Sequence, residues 1–247
     1  MSKFFTNIKP ELNLFKKPSI KSEVVTQIIY GESFKILKKN KKFLKIKIKE
    51  DGYVGFIKKT KLFNHIQPNF KVSKLYANVY KNPKNKKIIS KLSFASKIKV
   101  EQTSAKFAKF LKGWIEYKNI KPINYKDKDI FTNIKIFKNI KYKWGGRTFN
   151  GIDCSALIQV CLQYNNKFCP RDSGQQIKFF KKNINLKKIN KHDIIYWKGH
   201  VALALSKHKL IHAYGPRKKT VIMDIIKTIK LIEKTAHLKV LSIKRLK

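Results

Sequence analysis

The chain has 247 residues, 43% of them hydrophobic, enough for a real core shared among one to three small domains. Its formal net charge is +44. The cations are almost all Lys, with Arg only at Arg147, Arg171, Arg217 and Arg245, so the excess reads as compositional drift and not as an arginine-bearing nucleic-acid site, although weak, salt-sensitive polyanion binding is expected at such a charge.

The N-terminus, Met1 to Asn7, has no continuous apolar core and no small-residue cleavage site, and no apolar run has the length of a membrane span. A cytoplasmic protein without a membrane span is the expectation. Residues 1–66 then read as short strands between turns: Glu23–Ile29, Phe34–Leu37, Phe43–Lys49 and Tyr53–Ile57, with Tyr30-Gly31-Glu32 and Glu50-Asp51-Gly52 as turn signals. Lys45, Lys47 and Lys49 alternate with Leu44, Ile46 and Ile48, the pattern of a half-buried strand. Several short strands in so few residues predict a small barrel. Residues 67–123 repeat the plan more faintly, through Lys71–Val79, Ile88–Leu92, Lys97–Gln102, Phe107–Leu111 and Gly113–Tyr117. Pro122 and the charged run Lys126 to Asp129 mark the next boundary.

Residues 124–247 mix helix and strand. An amphipathic helix is expected over Ile130–Ile140, a second from Cys154 to about Tyr164 capped by Asp153, and a third over Ser173–Phe180. Strands are expected at Ile194–Trp197, His200–Leu205, Lys209–Ala213, Thr220–Ile225 and Leu238–Ile243. Helices followed by an antiparallel meander make an α+β pattern.

The chemistry concentrates at Gly151-Ile152-Asp153-Cys154-Ser155-Ala156-Leu157. A cysteine at the start of a helix, with free backbone N–H groups and the positive end of the dipole nearby, is placed for a lowered thiol pKa. A thiolate nucleophile needs a base, and His200 and His212 follow downstream. Adjacent antiparallel strands can bring both imidazoles to one face, with His212 orienting His200 as the third member of a triad. Cys161 falls amid Leu157, Ile158, Val160 and Leu162 and reads as a buried small hydrophobe; the three cysteines form neither a disulfide framework nor a zinc spacing.

The set Tyr142-x-Trp144-Gly145-Gly146, Gly151-x-Asp153-Cys154-Ser155, Pro170-Arg171-Asp172-Ser173-x-Gln175, Asp193-x2-Tyr196-Trp197-x2-His200-Val201 and Ile211-His212-Ala213 resembles the NlpC family of papain-like bacterial cysteine peptidases. It looks most like the subgroup of γ-D-glutamyl-L-diamino acid endopeptidases with N-terminal bacterial SH3-like domains. Tyr30-Gly31-Glu32 and Asp51-Gly52-Tyr53-Val54-Gly55 resemble the first of those domains. The resemblance implies a papain-like catalytic domain over 124–247 behind two SH3-like barrels, 1–66 and 67–123. It implies Cys154, His200 and His212 as catalytic residues and Tyr142 near the oxyanion. Asp153, Ser155, Asp172 and Ser173 are implied as substrate contacts, Asp172 holding a free L-Ala ammonium, with Tyr53 and Glu32 closing the far end of the pocket. Ala156, Ala202 and His192 stand where the family usually has glycine.

The expected activity is hydrolysis, without metal or cofactor, of the γ-D-Glu–diamino acid bond in free L-Ala-γ-D-Glu-diaminopimelate peptides, in peptidoglycan recycling. The alternatives are an exported or broader cell-wall hydrolase and a non-catalytic ligand- or polyanion-binding protein on the same fold.

Overall fold

The computed structural model describes residues 3–84 and 87–246. In the first block Leu44, Ile46 and Ile48 turn inward while Lys47 stays in water, which fixes the strand Phe43–Ile48 as half-buried. It belongs to one antiparallel sheet of seven strands, ordered Val24–Ile29, Glu11–Phe15, Val54–Lys58, Phe43–Ile48, Ser33–Lys39, Phe4–Thr6 and Phe63–Asn64. Leu14, Ile28, Phe34, Leu44, Ile46 and Ile57 form its core. Four of the seven are legible in the sequence. Phe4–Thr6 and Phe63–Asn64 are too short to show a period, and Glu11–Phe15 lies between the turn signals of Pro10 and Pro18.

The second block pairs a five-stranded sheet (Ile88–Ser93, Tyr76–Tyr80, Gly113–Glu116, Phe107–Phe110, Val100–Thr103) with a three-stranded one (Lys97–Ile98, Phe70–Val72, Ile120–Pro122). Val72, Val79, Leu92, Ile98, Phe110 and Ile115 fill the space between them. The single strand expected over Lys71–Val79 is two strands. The chain leaves one sheet after Val72, where Ser73 N donates to Asn119 O at 2.9 Å, and enters the other at Tyr76.

The third block holds helices α1 (Cys154–Tyr164), α2 (Ser173–Phe179) and α3 (Ile225–Ala236) around a six-stranded antiparallel sheet. The sheet order is Lys182–Asn183, Ser242–Arg245, Ile194–Trp197, His200–Ala204, Lys209–Tyr214, Lys219–Asp224. Its central strands are mostly apolar on both faces because both faces are covered. Ile194, Tyr196, Val201, Leu203, Ile211 and Ala213 pack with α1, and Ile195, Trp197, Ala202, Ala204, Leu210 and Tyr214 pack with α3.

Three expectations fail here. The helix predicted over Ile130–Ile140 is only a 3-10 stretch, Thr132–Phe137. Its start has no side-chain cap, and β-branched Thr132, Ile134 and Ile136 disfavour an α-helix. The strand predicted over Thr220–Ile225 stops at Asp224, whose carboxylate accepts from Lys227 N at 3.0 Å and caps α3, a helix the sequence reading lacks. Ile225, Ile229 and Ile232 give α3 its apolar stripe. The last strand is accordingly Ser242–Arg245 instead of Leu238–Ile243.

Contacts between the blocks use the acids, of which this basic chain has only 14. Residues 1–66 contain five acids, Glu11, Glu23, Glu32, Glu50 and Asp51. Every one of them bonds to a residue beyond that block: Thr148 Oγ1 to Glu11 at 2.8 Å, Trp144 Nε1 to Glu23 at 2.8 Å, Arg147 to Glu32 at 2.8 and 2.9 Å, Lys97 Nζ to Glu50 at 2.9 Å, and Gln159 Nε2 to Asp51 at 3.0 Å. From the second block, buried Lys71 donates to the carbonyl of Tyr164 at the negative end of α1 and to that of Tyr125, and burial pulls its pKa down to about 8. None of the described helices is long and apolar enough to cross a membrane.

Candidate active site

Helix α1 begins at Cys154 because Asp153 caps it: Oδ1 accepts from Ala156 N at 2.9 Å. The other oxygen accepts from Gly145 N at 2.9 Å, and Arg171 grips both oxygens in a bidentate ion pair. Arg171 Nη1 also donates to Ser155 Oγ at 2.9 Å and its Nε to Thr26 Oγ1 at 2.7 Å. A buried carboxylate–guanidinium knot therefore ties the catalytic helix to the first block. Asp153 also lines the cavity onto which Cys154 opens, though both of its oxygens already accept hydrogen bonds from within the protein. Gly145 is required here: its φ is +71°, and a Cβ would lie 2.4 Å from the carbonyl oxygen of Val24.

The strand His200–Ala204 packs against α1, and the Val201 backbone is among the groups that favour the thiolate of Cys154. His200 Nε2 lies 2.9 Å from His212 Nδ1, which leaves Nδ1 of His200 outside that contact. The pairing Leu203↔Ile211 and Ala204↔Leu210, continued along both strands, sets the two imidazoles diagonally on one face. Tyr214 stacks on His212 with ring centroids 4.6 Å apart, and Trp197 lies 5.6 Å from His200 on the other side. His212 is fully buried.

The helix-dipole argument predicts a depressed thiol pKa; burial overturns it. Desolvation, with the Asp153 charge second, pushes Cys154 up to about 12, while the Val201 and Ser155 N–H groups and Arg171 pull the other way. Burial likewise pulls His200 down to about 4, and burial plus its neighbour His200 pull His212 down to about 2. Burial therefore favours the neutral form of all three side chains, the thiol and both imidazoles.

Cys154 opens onto a cavity of about 690 Å³. Asp153, Ser155, Arg171, Asp172 and Ser173 line it, together with Tyr53 from the first block. Tyr53 OH donates to Asp172 Oδ2 at 3.1 Å across the block boundary, and burial raises the pKa of both groups. Tyr142 is half-buried, its ring near Gly215 and its hydroxyl close enough to Cys154 that a thiolate there raises its pKa, after burial the largest influence on it.

Glu32 is misassigned by the sequence reading. It is 1% exposed, bound by the Arg147 guanidinium and by Ile29 N at 2.9 Å, and it does not line the cavity. Glu23 does, together with Lys16, Asp51 and Trp144, all four missed as site residues. Trp144 stood in the motif, and Glu23 and Asp51 were legible only as scarce acids in a basic chain. Of the positions where the resemblance expects glycine, Ala156 and Ala202 are buried and take no left-handed backbone, whereas His192 has a φ of +71°. Cys161 and Cys169 are buried free thiols outside the cavity. Among the described residues no cluster of three or more His, Cys, Asp or Glu side chains could hold a metal ion.

Residues 139–237 match the NlpC/P60 family, and residues 14–62 match the bacterial dipeptidyl-peptidase SH3 domain. The chain is 24% identical over 232 residues to the γ-D-glutamyl-L-lysine dipeptidyl-peptidase of Bacillus subtilis, covering 83% of this chain and 77% of that protein. It is 36% identical over 72 residues to dipeptidyl-peptidase 6 of Lysinibacillus sphaericus, covering 29% of this chain and 27% of that one. In fold it is similar to the crystal structure of an NlpC/P60 family protein from Bacillus cereus, with a TM-score of 0.83 and 17% identity over 98% of this chain and 99% of that one. Cys154 and the paired histidines His200 and His212 thus lie in an NlpC/P60 peptidase domain that follows a bacterial dipeptidyl-peptidase SH3 domain.

Proposed function

We propose that the protein hydrolyses the γ-D-Glu–diamino acid bond of free L-Ala-γ-D-Glu-diaminopimelate peptides, with Cys154, His200 and His212 as its catalytic residues. The observation that carries the reading is the bond from Tyr53 OH to Asp172 Oδ2 at 3.1 Å, which joins the two blocks in the same cavity as Cys154. A carboxylate there suits the ammonium of a short peptide's first residue, and on this reading the first block stands where a continuing glycan would run. Glu23 and Asp51 add negative charge to the same cavity in a chain of +44. The second β block, residues 67–123, is read as a second SH3-like copy that supports the first. Action on free peptides fits peptidoglycan recycling in the cytoplasm.

In the reaction Cys154 Sγ attacks the γ-carbonyl carbon while Nδ1 of His200 takes the thiol proton. The oxyanion lies against the Cys154 backbone N–H and the Tyr142 hydroxyl. Collapse breaks the C–N bond, and the His200 proton goes to the leaving amine. Water, deprotonated by His200, then attacks the thioester, releasing L-Ala-γ-D-Glu and the free thiol. The Ser155 and Ser173 hydroxyls line the cavity near the bond being cut and serve as substrate contacts.

The test is mass spectrometry of digests of the free tripeptide beside its muramoyl-blocked form, with Cys154→Ala as control. Cleavage confined to the free peptide and lost in the variant is expected. Equal turnover of both forms sinks the role of Asp172, and turnover by Cys154→Ala sinks the nucleophile.

A further inference from the structure

The histidine pair does not end at His212. Met223 lies on the next strand, Lys219–Asp224, where the register pairs His212 with Val221 and Leu210 with Met223. His200, His212 and Met223 therefore step diagonally across three neighbouring strands. His212 Nε2 is 3.3 Å from Met223 Sδ, and its Nδ1 is 2.9 Å from His200 Nε2. Among the described residues Met223 is the hydrogen-bond partner of that Nε2.

A thioether sulfur has no proton to give and can only accept. A neutral imidazole carries one N–H. With that N–H on Nε2, His212 donates to Met223 and presents a bare Nδ1 to its neighbour. His200 must then carry its own N–H on Nε2, donating to His212, and its lone pair falls on Nδ1. The opposite arrangement sets a lone pair of His212 against a sulfur lone pair. It also puts the N–H of His200 on Nδ1, the nitrogen that the proposed reaction needs free to take the thiol proton.

We propose that Met223 is a positioning residue: its sulfur selects the tautomer of His212 and, through it, the proton-accepting nitrogen of His200. The inference rests on reading Cys154 and His200 as nucleophile and base, and it adds a fourth member to their chain.

The experiment compares the full-length protein with Met223→Leu, similar in size but without an acceptor, and Met223→Gln, whose carbonyl can accept. Two readouts need no substrate: the ring-nitrogen chemical shifts of His200 and His212, and the rate at which iodoacetamide alkylates Cys154, followed by peptide mass spectrometry. Thermal unfolding checks that all three are folded, and kcat and KM are measured on the free tripeptide. One tautomer, with N–H on Nε2 of both rings, is expected in the parent protein and in Met223→Gln. Met223→Leu should mix the tautomers of His212 and slow both alkylation and kcat by about three- to tenfold, the scale of one lost weak hydrogen bond, with KM unchanged. Parent-like nitrogen shifts and alkylation in Met223→Leu, or equal impairment of the Leu and Gln variants, would overturn the proposal and leave Met223 a packing residue. A wrong substrate assignment shows separately, as no turnover by the parent while the tautomers still respond.

Discussion

Glu32→Ala separates a docking residue from a substrate residue. Glu32 and Arg147 are both 1% exposed, joined by bonds of 2.8 and 2.9 Å. Arg147 has further acceptors in Gln27 O at 2.7 Å and Gln163 Oε1 at 2.6 Å, but among the described residues Glu32 is its one ion-pair partner. Removing the carboxylate strands a buried guanidinium, a change that costs about 3–5 kcal/mol. It also leaves the Ile29 N–H, now bonded to Glu32 at 2.9 Å, without its acceptor. For a chain of this size that lowers Tm by roughly 6–20 °C. Thermal unfolding reads the loss, and peptide turnover at a temperature where both proteins are folded should give an unchanged KM. The double variant Glu32→Leu with Arg147→Met, which exchanges the pair for apolar groups, should recover most of the stability. A wild-type Tm with a raised KM in Glu32→Ala would refute the docking argument and return Glu32 to the pocket.

Three further outcomes test the site and its surroundings. The thiolate ultraviolet absorbance of Cys154, measured as a difference from Cys154→Ala, should be absent at neutral pH because burial holds the thiol near 12; a step near neutrality would mean a preformed ion pair. His212 keeps its neutral form in the fold down to about 2 while the unfolded chain takes a proton near 6.5, so the unfolded state binds more protons in that window. Its stabilising contribution is complete above pH 6.5 and is lost as the pH falls, so denaturant unfolding of His212→Gln should show a flatter decline below pH 6.5 than the parent, and an identical slope would refute this. His192 takes a left-handed backbone with φ +71° and meets Asp129 at 3.1 Å, so His192→Gly should stay within about 1 kcal/mol of the parent and His192→Val should lose about 2 kcal/mol; equal stabilities would deny the strain.

The catalytic half of the molecule was legible because its chemistry is local. Asp153 caps the helix that Cys154 opens, α2 spans Ser173–Phe179, and strands predicted at Ile194–Trp197 and His200–Leu205 stand within a residue of their observed ends. α3 was missed because its stripe of Ile225, Ile229 and Ile232 adjoins a β-branched run that reads equally as strand, and only the uncovered sheet face beneath it settles the choice.

By itself the sequence determined the α+β class, the helix that opens at Cys154 and the strands that carry His200 and His212, since each depends on residues close together in the chain. Only the tertiary structure decided which acids face the cavity. Glu23 and Glu32 are both acids beside turns or strand ends of one small sheet, and nothing local distinguishes them. Glu32 meets a buried Arg147 and becomes part of the block contact, while Glu23 binds Trp144 at the cavity wall. The ionisation of the site was decided the same way. The helix terminus is a local feature that favours thiolate, but the desolvation that outweighs it comes from strands and walls far away in the chain.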